Sequence, residues 1–156
     1  MEEFEIRNID NLLNHDITRL LIQSKEEGFR FVERLVNDYK NGSNTFTNEG
    51  EALFGAFTQN SELIGICGLN KDPYSNQGKI GRLRRFYISK TYREKGVGRL
   101  LLNRVICEAK LHYRIIVLHT DTELADNFYT SNGFSKSNVH TNSTHYLDLK
   151  QKLFSS

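Results

Sequence analysis

The stretch from Leu83 to Leu102, LRRFYISKTYREKGVGRLLL, constrains the rest of this chain most. It opens as a strand-like run, Leu83 to Ile88, rich in aromatic and β-branched residues. It then breaks into a polar turn, Ser89 to Lys95, and ends in Gly96-Val97-Gly98 and an apolar-periodic helix. A strand, a glycine-containing turn and a helix N-terminus in succession are suited to gripping an anion. The first N–H groups of the helix have no intrahelical partner, and the macrodipole places roughly half a positive charge there. Gly96 and Gly98 lack a Cβ, so a phosphate can approach the backbone and the turn can use positive φ. Arg93 and Lys95 add cationic donors beside it.

Length and charge narrow the choices further. The 156 residues suit a single domain, 1–156, large enough to bury its own core. With 38% hydrophobic and 26% charged residues, the composition is that of an ordinary globule, not a disordered chain. A formal net charge of +2 is too small to argue for nucleic acid or a membrane surface as partner. The clustering of Arg82, Arg84, Arg85, Arg93, Lys95 and Arg99 says more than the total. Cys67 and Cys107 lie inside apolar runs and read as buried thiols of a cytoplasmic protein, not as a disulfide. The start, MEEFEIR, lacks the pattern of a signal peptide, and no apolar run approaches the roughly 20 residues of a membrane span. No metal ligand set is assigned.

Taken in order, Phe4 to Ile9 reads as a first strand and Asn11 to Tyr39 as two helices joined near Gly28. Leu12, Leu13, Ile17, Leu20 and Leu21 form one apolar stripe; Phe29, Val32, Leu35 and Val36 form another. Ala52 to Thr58 and Leu63 to Leu69 read as a hairpin, and Ile80 to Ile88 as the third strand of a meander. Gly98 to Leu111 is the next helix, with Val97, Leu101, Val105 and Ala109 on its packed face. Ile115 to Leu118 has the continuous apolar character of a strand covered on both faces. Asp121 or Thr122 can cap a further helix, on which Leu124 and Phe128 share a face, and Asn132-Gly133 ends it. Phe134 to Ser137 and Thr144 to Leu149 close the chain as paired strands. The expected fold is a mixed α/β sheet in the order β-α-α-β-β-β-α-β-α-β-β.

Two local patterns carry a resemblance. Arg93-Glu94-Lys95-Gly96-Val97-Gly98 fits the R-x-x-G-x-G turn of the Gcn5-related N-acetyltransferases. Ala125-x-x-Phe128-Tyr129-x-x-x-Gly133-Phe134 fits that family's second signature, A-x-x-F-Y-x-x-x-G-F. The order of elements is also that of the family, so the chain resembles it over essentially its whole length. The resemblance implies acetyl-CoA as donor. Its arm would run beside Phe86, Tyr87 and Ile88, and its pyrophosphate would sit on the N–H groups from Lys95 through Gly96, Val97 and Gly98 to Arg99. Arg93 and Glu94 would shape the turn, and Thr122 and Phe128 belong to the same coenzyme site.

Acetyl transfer to an amine demands a neutral amine, donors for the oxyanion, and a proton for the departing thiolate. A free alkylamine has a pKa of about 10.4, so deprotonation needs help. By the resemblance, Tyr129 is the catalytic acid beside the coenzyme sulfur, and the N–H of Tyr87 or Ile88 is the oxyanion donor. Some relatives carry a glutamate on the strand before the turn; Arg82-Leu83-Arg84-Arg85-Phe86-Tyr87-Ile88 has no carboxylate. His119, Glu49 and Asp72 are the nearest substitutes, and none is assigned. Lys90 stands where the family often has proline, and Thr122 where it often has asparagine. The acceptor would be a primary amine of a small molecule or peptide, attacking directly in a ternary complex. The arginines of the strand could favour one that carries a carboxylate; strict alternation puts Arg82 and Arg84 on one face and Arg85 on the other. A homodimer is compatible with the sequence. The alternative is an acetyl-CoA-binding sensor or interaction module without turnover.

Overall fold

Apolar runs of strand length set the middle of the molecule. Ala52–Phe57 (β2) and Leu63–Lys71 (β3) are buried on both faces almost throughout, as only central strands can be. The computed structural model describes residues 3–76 and 78–149; the expected domain limits, Met1 and Ser156, lie outside them. Glu5–Asn8 (β1), Ile80–Ile88 (β4), Ile115–Leu118 (β5), Ser135–Lys136 (β6) and His145–Asp148 (β7) complete a seven-stranded sheet. Its order is β1-β2-β3-β4-β5-β7-β6, antiparallel except where β4 meets β5. The sequence of elements is the expected one.

Thr18–Glu26 (α1) and Phe31–Asn41 (α2) cover one face, burying Leu20, Val32 and Leu35 against Leu53, Phe57 and Ile66. Val97–Lys110 (α3) and Glu123–Ser131 (α4) cover the other, where Leu101, Leu102, Val105 and Tyr129 meet Phe54, Ile64 and Leu69. Each such aliphatic side chain contributes about 1.5–3 kcal/mol by leaving water. None of the helices among the described residues is long and apolar enough to cross a membrane.

Several local expectations change. The first helix starts later than its apolar stripe, because Leu12–Asn14 forms a 3-10 turn. Asn11 accepts the Leu13 N–H and Asp16 the Thr18 N–H, each at 3.0 Å, and these side-chain contacts compete with helix propagation. Leu124 is 74% exposed, since the packed line of α4 runs through Ala125, Phe128 and Tyr129 and leaves Leu124 on the outer side. Cys107 is exposed while Cys67 is buried. Two residues beyond Val105, Cys107 is turned by about 200° from the packed face of α3.

One irregularity in β4 matters for the site. Gly68 pairs with Arg84 and Ile66 with Tyr87, so β4 spends one residue more than β3 over that interval. This is a β-bulge, and Arg85 within it has φ of 60°. Strict alternation therefore fails at Arg85, which comes to the same side as Arg84.

Candidate active site

The parallel pair at the centre of the sheet comes apart. Pairing of β4 with β5 runs from Ile80–Ile115 to Arg82–Val117 and stops there, so Leu83–Ile88 keeps β3 as a neighbour but loses β5. A strand edge in the middle of a sheet is thereby left open to an extended ligand. The N–H of Ser89 donates to Ile64 O at 2.7 Å, which fixes the parity of the backbone. Tyr87 accordingly points its N–H toward β3, and Phe86 and Ile88 point theirs into the split.

At the end of that edge stands the glycine turn. Glu94 has φ of 65° and Gly96 of 84°, and α3 begins at Val97. Val97 is 1% exposed and anchors the first turn of the helix in the core. Gly96 is the N-cap, supplies no side chain to the helix N–H groups, and has no acid in the turn that follows. The orphan donors and the dipole of this helix are thus uncompensated. A Cβ on Gly96 would meet nothing within 4 Å, so glycine is needed there for its φ; one on Gly98 would touch the Phe128 ring at 3.4 Å. Lys95 and Arg99 are exposed at the rim, with the Lys95 ammonium 5.6 Å from the Tyr92 ring centroid. By contrast α4 is capped: Thr122 Oγ1 accepts the Ala125 N–H at 3.1 Å.

On the α3–α4 side of the split the rings gather. Phe86 lies 5.6 Å from Phe128 and 6.1 Å from Tyr129, and Tyr129 lies 5.4 Å from Phe134 and 6.0 Å from His145. Tyr129 is 7% exposed, and burial, with Cys67 nearby, pushes its phenol well above the usual range. It therefore keeps its proton. His145, 1% exposed, pairs Nε2 with Asp126 Oδ1 at 2.7 Å and Nδ1 with Thr144 Oγ1 at 2.8 Å, tying α4 to β7 behind that ring.

On the opposite side, α1 grips the turn through residues that sequence reasoning missed. Glu27 accepts from Arg93 Nη1 at 2.7 Å and Nη2 at 2.5 Å, and the Tyr87 hydroxyl also donates to it. Arg93 Nε donates to Ile88 O at 3.1 Å, and its guanidinium lies 5.2 Å from the Tyr87 ring centroid. Every guanidinium nitrogen of Arg93 is thus directed at the protein, so Arg93 braces the turn and is not a free donor beside it. Arg93 holds the Glu27 carboxyl below the usual range, while burial, helped by Glu27, pushes the Tyr87 phenol up. Gln23 Oε1 accepts from Ser89 Oγ at 2.9 Å and from the Lys90 N–H at 3.0 Å. A proline in place of Lys90 could not make that contact. In the sequence these side chains fall in a charged helix end, where Lys25-Glu26-Glu27 and Gly28, which takes φ of 86°, signal a joint but no partner for Glu27.

The three substitute bases part company. Asp72 is 3% exposed and accepts from Arg82 Nε at 2.9 Å, while Arg82 also donates to Thr141 O and Asn142 O, each at 2.9 Å. That cluster ties the last hairpin to the sheet. Glu49 precedes Gly50, whose carbonyl accepts from Tyr113 beyond the far end of α3. Fourteen residues of helix put that end about 20 Å from the glycine turn. His119 follows β5 directly at the open end of the split and is 52% exposed.

An acetyltransferase (GNAT) domain family matches residues 49–136. A protein assigned as an acetyltransferase from Exiguobacterium sp. 255-15 is 32% identical, with 94% of this chain and 93% of that one covered and a TM-score of 0.83. The chain belongs to the GNAT acetyltransferase family. More distant structures share the fold. One is an acetyltransferase of the GNAT family from Staphylococcus aureus Mu50 (22% identity, 95% and 100% covered, TM-score 0.75). Another is a GNAT family N-acetyltransferase from Escherichia coli in complex with CoA (15% identity, 96% and 83% covered, TM-score 0.65). Membership and fold together are consistent with acyl transfer from CoA.

Proposed function

We propose that the protein is an acetyl-CoA-dependent N-acetyltransferase that acetylates a primary amine of a small molecule or peptide by direct attack in a ternary complex. The observation that carries this reading is the loss of β5 pairing after Arg82, beside an uncapped helix N-terminus. The residues fit the donor: an open strand edge at Phe86 and Ile88 for an amide-bearing arm, and free N–H groups at the start of α3 for a pyrophosphate. The thioester supplies the activated acetyl carbon. Of Tyr87 and Ile88, Ile88 is the one whose N–H faces the split, so it is the oxyanion donor of this reading. Tyr129 holds a proton at its buried hydroxyl and serves as hydrogen-bond donor and acid toward the developing thiolate. Phe86, Phe128 and Phe134 keep water from that end. Cys67 is buried and burial pushes its thiol up, which argues against a thiolate nucleophile and for direct attack.

The test is thiol release from acetyl-CoA over a panel of amines, with wild type and Tyr129→Phe side by side and coenzyme affinity measured by calorimetry. Amine-dependent release that falls at least tenfold in Tyr129→Phe, at retained affinity, is the expected result. Coenzyme binding without release on any amine would instead favour a sensor, and no coenzyme binding would refute the reading of the turn.

A further inference from the structure

The part of β4 that has left β5 carries two arginines on the face away from the ring cluster. Arg84 pairs with Gly68, where a Cβ would come within 2.4 Å of the Phe46 ring, so Arg84 faces the α1–α2 side. The bulge turns Arg85 to the same side, where its Nη2 donates to Asp38 Oδ2 on α2 at a long 3.4 Å. The Arg85 side chain is only 12% exposed, and its Nε is buried with no acceptor among the described residues. Asp38 is shared, since its other oxygen accepts from Ser43 Oγ at 3.1 Å. Burial, Arg84 and Arg34 all press against the charge on Arg85. Arg85 thus has one long contact to a carboxylate that it shares with Ser43, two further guanidinium groups acting against its charge, and a non-glycine backbone at positive φ. Burying a cation short of acceptors on a strained backbone is unfavourable for folding alone. A guanidinium edge offering Nε and Nη together matches the two oxygens of a carboxylate.

Resting on the N-acetyltransferase reading, we propose that the acceptor is an amine that also bears a carboxylate, held by Arg85 with Arg84 on the α2 side of the strand split. Arg85 lies three residues before Ile88 on the open strand and on the opposite face from the Phe86 ring, so a carboxylate held there directs the rest of the acceptor along the split toward the acetyl-transfer end. Asp38 occupies part of the Arg85 fork and competes with the ligand for it.

The experiment compares matched acceptors, alanine with alanine methylamide and lysine with lysine methylamide, by thiol release from acetyl-CoA. The methylamides have the less basic amines, so deprotonation alone favours them. The wild type is expected to prefer the carboxylates at least tenfold in kcat/KM. Arg85→Gln should cut that preference at least tenfold through KM, with Arg85→Lys in between, and Asp38→Asn should lower KM for the carboxylates. A wild type that favours the methylamides, or a preference that a folded Arg85→Gln leaves intact, overturns the proposal while the N-acetyltransferase reading stands. If Arg85→Gln does not fold, Arg84→Gln is read the same way. If no amine turns over, the enzyme reading fails and the carboxylate site is tested by melting with CoA present. N-acetylglycine, but not its methylamide, should then raise the midpoint in wild type and not in Arg85→Gln; equal shifts from both overturn the site.

Discussion

Replacing Glu27 by alanine removes the carboxylate that joins α1 to the glycine turn. The Glu27 and Arg93 side chains are 19% and 31% exposed, so the pair is neither a solvated surface contact nor a fully buried one. Exposed pairs are worth about 0–1 kcal/mol and breaking buried ones costs about 3–5. Two charge-assisted hydrogen bonds at 2.7 and 2.5 Å in partial burial place the loss between these limits, at about 2 kcal/mol. For a chain of this size that lowers the thermal midpoint by about 4–8 °C. The function should suffer too, because Arg93, once released, no longer holds Ile88 O at 3.1 Å and the turn is free to drift. A coenzyme affinity about tenfold weaker corresponds to about 1.4 kcal/mol of that ordering. Glu27→Gln, which can still accept from Arg93 and Tyr87, should fall between. The carboxyl is held below its ordinary value of 4.5, so the ionised form is the stabilising one. The wild-type advantage over Glu27→Gln should therefore be complete at neutral pH and shrink as pH falls below that value. Calorimetric melts across pH with coenzyme titrations check both halves. A Glu27→Ala midpoint within 1 °C of wild type, with unchanged coenzyme affinity, would refute the reasoning.

Other outcomes follow from the same geometry. Gly96→Ala should cost about 1–2 kcal/mol from the forced positive φ and weaken coenzyme binding, although no side-chain clash is created; melts and calorimetry read the two effects. Removing one partner of a buried pair should make Asp72→Ala or Arg82→Ala costly, by about 3–5 kcal/mol in chemical denaturation, with the last hairpin loosening in hydrogen exchange. Gly68→Ala must push on Phe46 and should lose about 1–3 kcal/mol by overpacking, again measured by denaturant melts. A thiol reagent should label Cys107 in the folded protein and Cys67 only after denaturant is added, as mass spectrometry of the labelled peptides will reveal.

Local chemistry written in the sequence decided much of this protein. Ile115–Leu118 announces a doubly covered strand because four successive apolar residues have no solvent face. Gly96 and Gly133 announce turns because positive φ is nearly free only for glycine. The strand-turn-helix unit and the ring-bearing helix were legible for the same reason: each depends on neighbours a few residues apart. Contacts between distant segments were not. Glu27 and Arg93 are 66 residues apart, and Arg82 and Asn142 are 60 apart. Nothing at such separations marks a charged residue as the partner of another, since any acid in a helix end looks solvated until packing removes the water. The bulge escaped as well. Alternation predicts faces only while the register holds, and one extra residue opposite Cys67 moved Arg85 from one side of the sheet to the other. The sequence thus determined the elements and the glycine turn, by short-range sterics and periodicity. The tertiary structure alone decided which charges meet, because ion pairing and register are set by the packing that brings distant segments together.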